Sequence, residues 1–178
     1  IVHREWVRAM VHLRFVCELY QEQIDAGRYF LHEHPKSATS WMEKCMKDLA
    51  SDPTVMRTEI DQCAYGLVSK DKEGVGPAKK PTSFLTNSKG LVNALSKKCG
   101  GCERHVHLVE GRARAAQQYP RELCRAVTKG IIEQARLDSK DLFSLDSSTG
   151  KLTLNTAPDF SNATDSDKNN IYEVSIKS

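Results

Sequence analysis

Apolar side chains in the first third of the chain recur at helical spacing. Within residues 5–26 they follow alternating steps of four and three, which places them on one face of a helix. A second stripe of this kind covers residues 41–49. Between the two, residues 28–33 contain aromatic and apolar side chains and are closely followed by Pro35, as expected of a short buried strand. The pattern therefore predicts a helix, a strand and a second helix.

The middle of the chain continues this alternation. Residues 55–67 carry β-branched and aromatic side chains and predict a second strand, and residues 83–86 predict a third. The segment between them, residues 69–82, is rich in Lys, Gly and Pro and predicts a mobile loop. A last strong apolar stripe predicts a helix over residues 121–137. Strands that alternate with helices over residues 1–138 predict an α/β domain built in layers.

The pattern changes to period two toward the end of the chain. Residues 143–146 and 151–154 alternate apolar and polar side chains around Ser147-Ser148-Thr149-Gly150, which predicts an antiparallel hairpin. Residues 171–176 predict one more strand. We therefore expect a second domain, a short antiparallel β segment, over residues 139–178.

Charge is unevenly distributed along a chain whose formal net charge is +3. Residues 79–129 hold eleven Lys and Arg against three Asp and Glu, a net charge of +8. Clustered cations of this kind could meet a phosphate backbone, because binding releases condensed counterions. A solvated helix face rich in Lys and Arg would give the same composition. The sequence contains no run of about 18 apolar residues, so we expect no membrane-spanning helix.

Side chains within that basic segment predict contacts to phosphate and to a polar ligand. Two lysines precede Pro81, hydroxyl and amide groups follow it, and an arginine pair lies further along the chain. The predicted DNA-contacting residues are Lys79, Lys80, Thr82, Asn87, Arg112 and Arg114. The alternative is a solvated loop that enters a strand, with the arginines exposed on a helical turn.

A carboxylate stands at the end of the first predicted strand, in His32-Glu33-His34-Pro35. An acid at a strand end, followed by a Pro turn, suits a binding crevice in an α/β sheet. Glu33 could there exchange a proton with a bound base. The alternative is a structural Glu33 that pairs with a helix dipole or a lysine.

The chain holds six cysteines, and two of them form a Cys99-Gly-Gly-Cys102 turn followed by His105 and His107. The two cysteines have the spacing of a zinc knuckle, and the histidines point the same way if the chain is extended. These four residues are candidate zinc ligands, and a dithiol or two unreactive thiols are the alternatives. The first residues lack the layout of a signal peptide, so we expect an intracellular, reducing compartment for residues 1–138.

Three patches, in this order along residues 1–138, carry a family resemblance. They are Glu33-His34-Pro35, then Asp61-Gln62-Cys63-Ala64-Tyr65-Gly66 followed by Lys80-Pro81-Thr82-Ser83-Phe84-Leu85-Thr86-Asn87, and last Cys99 and Cys102 with Tyr119-Pro120-Arg121-Glu122-Leu123-Cys124. Together they resemble the C-terminal part of the DNA cytosine methyltransferase-like proteins of phages and mobile elements.

The resemblance implies an incomplete Rossmann-like domain that binds DNA. In that family the strand-end Glu holds the ring nitrogen of a flipped cytosine, so Glu33 would be the catalytic residue. The methyl donor S-adenosylmethionine and the attacking cysteine belong to the upstream half of the family's domain. None of the six cysteines follows a Pro, so we expect a chain that binds DNA and is catalytically incomplete by itself.

The end of the chain has a different likeness. Segments between residues 142 and 167 resemble part of a cadherin-like repeat of large surface adhesins. Acidic side chains in such repeats supply oxygen ligands to calcium, which implies Asp159, Asp165 and Asp167 as ligands. The alternative functions are therefore an extracellular, adhesive calcium-binding protein or a zinc-stabilised interaction module. A polar, solvated loop would account for these aspartates equally.

Overall fold

Helices and strands alternate in the first part of the chain and then occur in runs, in a computed structural model that describes residues 2–109, 111–146 and 148–155. The helices are α1 (Val2–Asp25), α2 (Lys44–Ala50), α3 (Lys89–Ala94), α4 (Arg112–Ala115) and α5 (Arg121–Leu142). The strands are β1 (Leu31–Pro35), β2 (Met56–Asp61), β3 (Val68–Asp71), β4 (Gly74–Pro77), β5 (Pro81–Thr86), β6 (Phe143–Leu145) and β7 (Leu152–Leu154). This mixture confirms the predicted α/β class. The chain divides into two units, Ile1–Ile132 and Glu133–Ser178, and the division lies within α5.

Helix α1 packs one face onto a core and ends at a glycine. Its buried Cys17 and three partly buried residues of the same stripe pack with Met46 and Leu49 of α2 and with Leu85 of β5. Gly27 has a φ of 66°, and its N–H donates to the carbonyl of Ile24 at 2.9 Å, so the chain turns out of the helix there. The apolar spacing that predicted this helix therefore marks its packed face.

An antiparallel sheet of three strands, in the order β1-β5-β2, lies in the described part of the first unit. Phe84 of the central strand β5 is the register partner of Glu33 in β1 and of Thr58 in β2. Residues 82–86 of β5 are all buried, as expected of a central strand covered on both faces. Because a Rossmann-like sheet is mostly parallel, the predicted Rossmann likeness is not confirmed.

Neighbouring residues of β5 face different layers of helix. Leu85 belongs to the cluster formed with α1 and α2, whereas Phe84 packs in a second cluster that includes Leu123 of α5. Successive side chains of a strand point to opposite faces of a sheet. The sheet therefore lies between a layer formed by α1 and α2 and a layer to which α5 contributes.

The predicted mobile loop over residues 69–82 is wrong for its first part, which belongs to a hairpin. Strands β3 and β4 pair antiparallel, with Asp71 opposite Gly74. The Asp71 carboxylate accepts the N–H of Glu73 at 3.0 Å, and Gly74 takes a φ of 110°, so this sequence builds a tight turn. Lys and Gly are weak strand formers, and pairing between the two segments overrides that preference.

The predicted hairpin near the end of the chain is confirmed. Strand β6 pairs antiparallel with β7, with Ser144 opposite Thr153. The Asp146 carboxylate accepts the N–H groups of Ser148 and Thr149, which closes the connecting turn. The predicted strand over residues 171–176 lies outside the described residues. Among the described helices, not one combines the length and the apolar character needed to cross a membrane.

Candidate functional site

The side chain of Glu33 lies on the edge strand β1 and is held at one oxygen. The Tyr119 hydroxyl donates to Glu33 Oε2 at 3.0 Å. The other oxygen, Oε1, is buried and has no hydrogen-bond partner among the described residues. Burial and the nearby charge and hydrogen bond of Glu33 raise the pKa of the Tyr119 phenol to about 12. Glu33 therefore offers one fixed oxygen and one acceptor with nothing bound to it.

A predicted DNA-contacting lysine lies at the same place. Lys80 Nζ donates to the carbonyl of Ala116 at 3.1 Å and lies 5.8 Å from the centroid of the Tyr119 ring. The fold thus brings Glu33 and Lys80, which are 47 positions apart in the sequence, to one tyrosine: Glu33 binds its hydroxyl and Lys80 lies over its ring. Tyr119 belongs to one of the motifs that carry the family resemblance. Its Tyr-Pro pair before a helix is the feature of the sequence that could have indicated its contact with Glu33.

Two of the other predicted DNA contacts serve the fold. Thr82 is completely buried, its hydroxyl accepts from Gln62 Nε2 at 3.0 Å, and it donates to the Lys80 carbonyl at 3.1 Å. Asn87 accepts the N–H of Phe30 at 3.0 Å and donates to the carbonyl of Arg28 at 2.8 Å. Thr82 is buried in the central strand, so its described contacts are structural, and its role as a DNA contact stays a prediction. Both polar ends of the Asn87 amide bind backbone, so its described role is structural.

The remaining predicted cations lie nearer the surface. Lys79 and Arg114 are exposed, while Arg112 is half-buried and donates from Nε to the carbonyl of His107 at 2.9 Å. Lys79 also lines a cavity of about 450 Å³ together with Pro81 and residues 102–108. All four predicted cations are therefore accessible to solvent: Lys79 and Arg114 are exposed, and Lys80 and Arg112 are exposed in part.

Three residues from two separate segments form a group that could hold a metal ion. The ligand atoms of Cys63, Cys99 and His105 all lie within 4.8 Å of one another. Cys99 Sγ lies 3.4 Å from His105 Nε2 and 3.7 Å from Cys102 Sγ. Cys63 follows β2 in a 3₁₀ turn over Gln62–Tyr65. Sequence reasoning placed Cys63 in a family motif and missed it as a ligand, because no local spacing connects it to Cys99.

The thiols of this group differ in their readiness to lose a proton. The N–H of Gly101, hydrogen bonds from Cys102 and Cys63, and the charge of Lys79 lower the pKa of Cys99, against an opposing effect of burial. Burial, followed by the hydrogen bond to Cys99, raises the pKa of Cys63 to about 11. The hydrogen bond to Cys99 is also the main cause of a raised pKa at Cys102. Cys99 is therefore the first thiolate of the group, and thiolate is the form that binds metals.

No protein-family model, curated protein or solved structure matches the chain.

The fourth predicted zinc ligand, His107, does not join the Cys63, Cys99 and His105 group. Val106 donates its N–H to the Pro77 carbonyl at 2.8 Å, which leads the chain along β4, and the His107 side chain is exposed. Of the predicted set, the structural group therefore contains Cys99 and His105, lacks Cys102 and His107, and adds Cys63. The predicted calcium ligands, Asp159, Asp165 and Asp167, lie outside the described residues.

Proposed function

We propose that the chain is a DNA-binding domain related to the DNA cytosine methyltransferases, in which Glu33 receives a base turned out of the double helix. One observation carries the proposal: Tyr119 holds Oε2 of Glu33, while Oε1 is buried without a partner among the described residues. An unpaired buried acceptor costs about 1–3 kcal/mol. A donor on the edge of a bound base would remove that cost.

Base entry requires Tyr119 to move, and its surroundings allow this. The side chain is 48% exposed, and a single hydrogen bond joins it to Glu33. When the ring moves aside, the carboxylate gains space next to Oε1, where it would accept the amino N–H of a cytosine or share a proton with the ring nitrogen. Tyr119 then acts as a cover over the acid until a base replaces it.

The cations beside this site supply affinity for DNA that does not depend on the base sequence of the DNA. The Lys80 ammonium group lies over the Tyr119 ring, 5.8 Å from its centroid, and Lys79 is the exposed residue before it. A base that is turned out brings its own phosphates close to the mouth of the site, where an ammonium group attracts them. Affinity is therefore expected to come from the lysines and base selectivity from Glu33.

Fluorescence anisotropy with labelled duplexes tests this division of roles. One duplex carries a mismatched cytosine, which is easily turned out, and a second is fully paired. We expect Glu33→Ala to remove the preference for the mismatched duplex and to keep binding to both. We expect Lys79→Ala and Lys80→Ala to weaken both complexes and to reduce the salt slope by about one each.

The matched control is Lys72→Ala, which removes an exposed lysine outside the basic segment. It is expected to leave both affinities unchanged. Binding by the unchanged protein that does not weaken with salt, or a preference for the mismatched cytosine that survives Glu33→Ala, would contradict the proposal.

Methyl transfer belongs to a larger assembly in this proposal. In the family that the sequence resembles, S-adenosylmethionine and the attacking cysteine are supplied by the upstream half. We therefore expect no methylated cytosine when this chain is incubated by itself with DNA and S-adenosylmethionine. Methylated cytosine formed by the purified chain would show that the chain itself supplies the binding site for S-adenosylmethionine and the attacking cysteine.

A metal-stabilised interaction module is a second candidate function, favoured by the group of Cys63, Cys99 and His105. Thiolate and imidazole ligands together favour zinc over magnesium or calcium, which take oxygen ligands. We therefore propose zinc as the ion. A chelator is expected to lower the melting temperature of the zinc-loaded chain, because an ion that binds the folded state stabilises it. An unchanged melting temperature would count against zinc.

A further inference from the structure

We propose that Cys63, Cys99, Cys102 and His105 are the four ligands of a structural zinc ion. This inference deepens the metal-binding candidate function and depends on it. It adds Cys102 as the fourth ligand to the group of Cys63, Cys99 and His105, and it leaves out His107, which the sequence spacing had included. The zinc site does not depend on the DNA-binding proposal.

Two distances in this group already match those of a tetrahedral zinc site. Zinc binds sulfur at about 2.3 Å and nitrogen at about 2.0 Å, so tetrahedral angles place two sulfur ligands about 3.8 Å apart. The same geometry places a sulfur and a nitrogen about 3.5 Å apart. The sulfurs of Cys99 and Cys102 are 3.7 Å apart, and Cys99 Sγ lies 3.4 Å from His105 Nε2.

The remaining ligand needs only a small adjustment. Cys63 Sγ lies within 4.8 Å of the ligand atoms of Cys99 and His105. Closing Cys63 to zinc distances therefore requires a movement of about 1.3 Å or less in each pair. Cys102 lies outside this three-residue group, so its sulfur must also approach the other ligands. Three thiolates and one imidazole form a Cys₃His set, which is one of the common structural zinc sets and fills all four positions of the tetrahedron.

The backbone around the cysteines is already shaped for this purpose. Gly101 takes a φ of 98°, a conformation that glycine adopts without strain, and this turn brings the sulfurs of Cys99 and Cys102 together.

Hydrogen bonds also join the two segments beside the cysteines. The Cys99 N–H donates to Asp61 Oδ2 at 3.0 Å, and the Asp61 N–H donates to the Lys97 carbonyl at 3.3 Å. The Lys97 N–H donates to the Tyr65 hydroxyl at 3.1 Å. These bonds hold the loop after α3 against the turn after β2. A zinc ion would add the bonds that lock this junction.

The test uses the full chain in reducing buffer, with zinc as the probe. Zinc content and competition with a chromophoric chelator are measured for the unchanged protein and for single variants. We expect one zinc per chain and at least about a tenfold loss of affinity in Cys63→Ser, Cys102→Ser and His105→Ala. The matched controls are Cys124→Ser, an exposed cysteine, and His107→Ala, and both are expected to retain full affinity.

A second measurement avoids variants that fail to fold. The unchanged protein is alkylated with and without zinc, and each cysteine is followed by mass spectrometry. We expect zinc to protect Cys63, Cys99 and Cys102, while Cys124 reacts at one rate in both samples. Protection of a different set, or loss of zinc in His107→Ala, would overturn the four ligands and leave metal binding intact. An unchanged protein that takes up no zinc would overturn both proposals.

Discussion

The Tyr119 hydroxyl donates a 3.0 Å hydrogen bond to Oε2 of Glu33, a residue 86 positions earlier in the chain. This contact joins the edge strand of the sheet to the turn that precedes α5. The same phenol has the ammonium group of Lys80 over its ring, 5.8 Å from the centroid. The acid therefore lies in a site formed by three separate segments of the chain.

Replacing Glu33 should change the titration of Tyr119. The pKa of Tyr119 is raised to about 12 by burial and by the charge and hydrogen bond of Glu33. Glu33→Gln removes the charge, so we expect the pKa to move toward the ordinary value near 10. The ultraviolet absorbance of phenolate, taken as the difference between each protein and its Tyr119→Phe form, measures this. An unchanged pKa in Glu33→Gln would show that burial dominates.

The same shift determines how Tyr119 affects stability at high pH. Above pH 10 the unfolded phenol loses its proton, whereas the folded phenol keeps it up to about pH 12. The contribution of Tyr119 is therefore present below pH 10 and is lost as the pH rises through this window. Tyr119→Phe should show a shallower loss of stability there.

Removing the hydroxyl of Thr82 should destabilise the fold without affecting DNA binding. Thr82→Val leaves the buried Gln62 Nε2 without its acceptor, so we expect the free energy of unfolding to fall by about 1–3 kcal/mol. Thr82→Ser keeps a hydroxyl at the position and should lose less. Urea denaturation measures the stability and anisotropy measures the affinity. A large affinity loss in a stable Thr82→Val protein would support Thr82 as a DNA contact.

A methyl group at Gly130 should destabilise the packing of α5 on α3. A Cβ there would lie 2.8 Å from Leu91 Cα and 3.0 Å from the Gly90 carbonyl, and backbone atoms cannot move aside easily. We expect Gly130→Ala to lower the free energy of unfolding by about 1–3 kcal/mol, although alanine favours helix by about 1 kcal/mol. Lys129→Ala, at the exposed neighbouring position, is the control and should change little. Equal free energies of unfolding for Gly130→Ala and Lys129→Ala would mean that α5 can move away from α3 at no cost in stability.

Acid should weaken the fold through His32. Burial, and then the charge of His34, lowers the pKa of His32 to about 4 from 6.5, while the Tyr20 hydroxyl contacts its Nδ1 at 3.2 Å. The unfolded imidazole takes up a proton below pH 6.5 and the folded one does not, so stability is lost as the pH falls from 6.5 to 4. The expected loss is about 3 kcal/mol.

Denaturation at a series of pH values measures this loss. His32→Gln should flatten the curve between pH 6.5 and 4 relative to the unchanged protein, because the titrating group is gone. His12→Gln, at an exposed position of α1, is the matched control and should keep the original slope. Parallel curves for His32→Gln and the unchanged protein would assign the acid sensitivity to other groups.

Long amphipathic helices could be predicted closely because their signal is local. The helix predicted over residues 5–26 spans Val2–Asp25, and the one predicted over residues 121–137 spans Arg121–Leu142. The β3–β4 hairpin was missed because its two valines, Val68 and Val75, are exposed and isolated among Lys and Gly. Such a hairpin forms through pairing between segments, which no short window of sequence contains.

The candidate sites divide in the same way. Cys99, Cys102 and His105 fall within seven positions and can be recognised from their spacing. Cys63 lies 36 positions before Cys99, and only the folded chain brings its sulfur to the others. Thr82 and Lys80 are two positions apart, yet the central strand buries one and leaves the other half-buried beside Tyr119.

The amino-acid sequence by itself determined the long helices, the mixed α/β class and the excess of cations over residues 79–129, whereas Glu33, predicted at the end of the first strand, lies in the middle of β1. These properties follow from neighbours in the chain, since helical and strand periodicity span only a few residues. The tertiary structure decided that Tyr119 binds Glu33, that Thr82 is buried and that Cys63 joins the group that could hold a metal ion. Those facts depend on contacts between distant segments. Burial of apolar surface across the sheet brings these segments together.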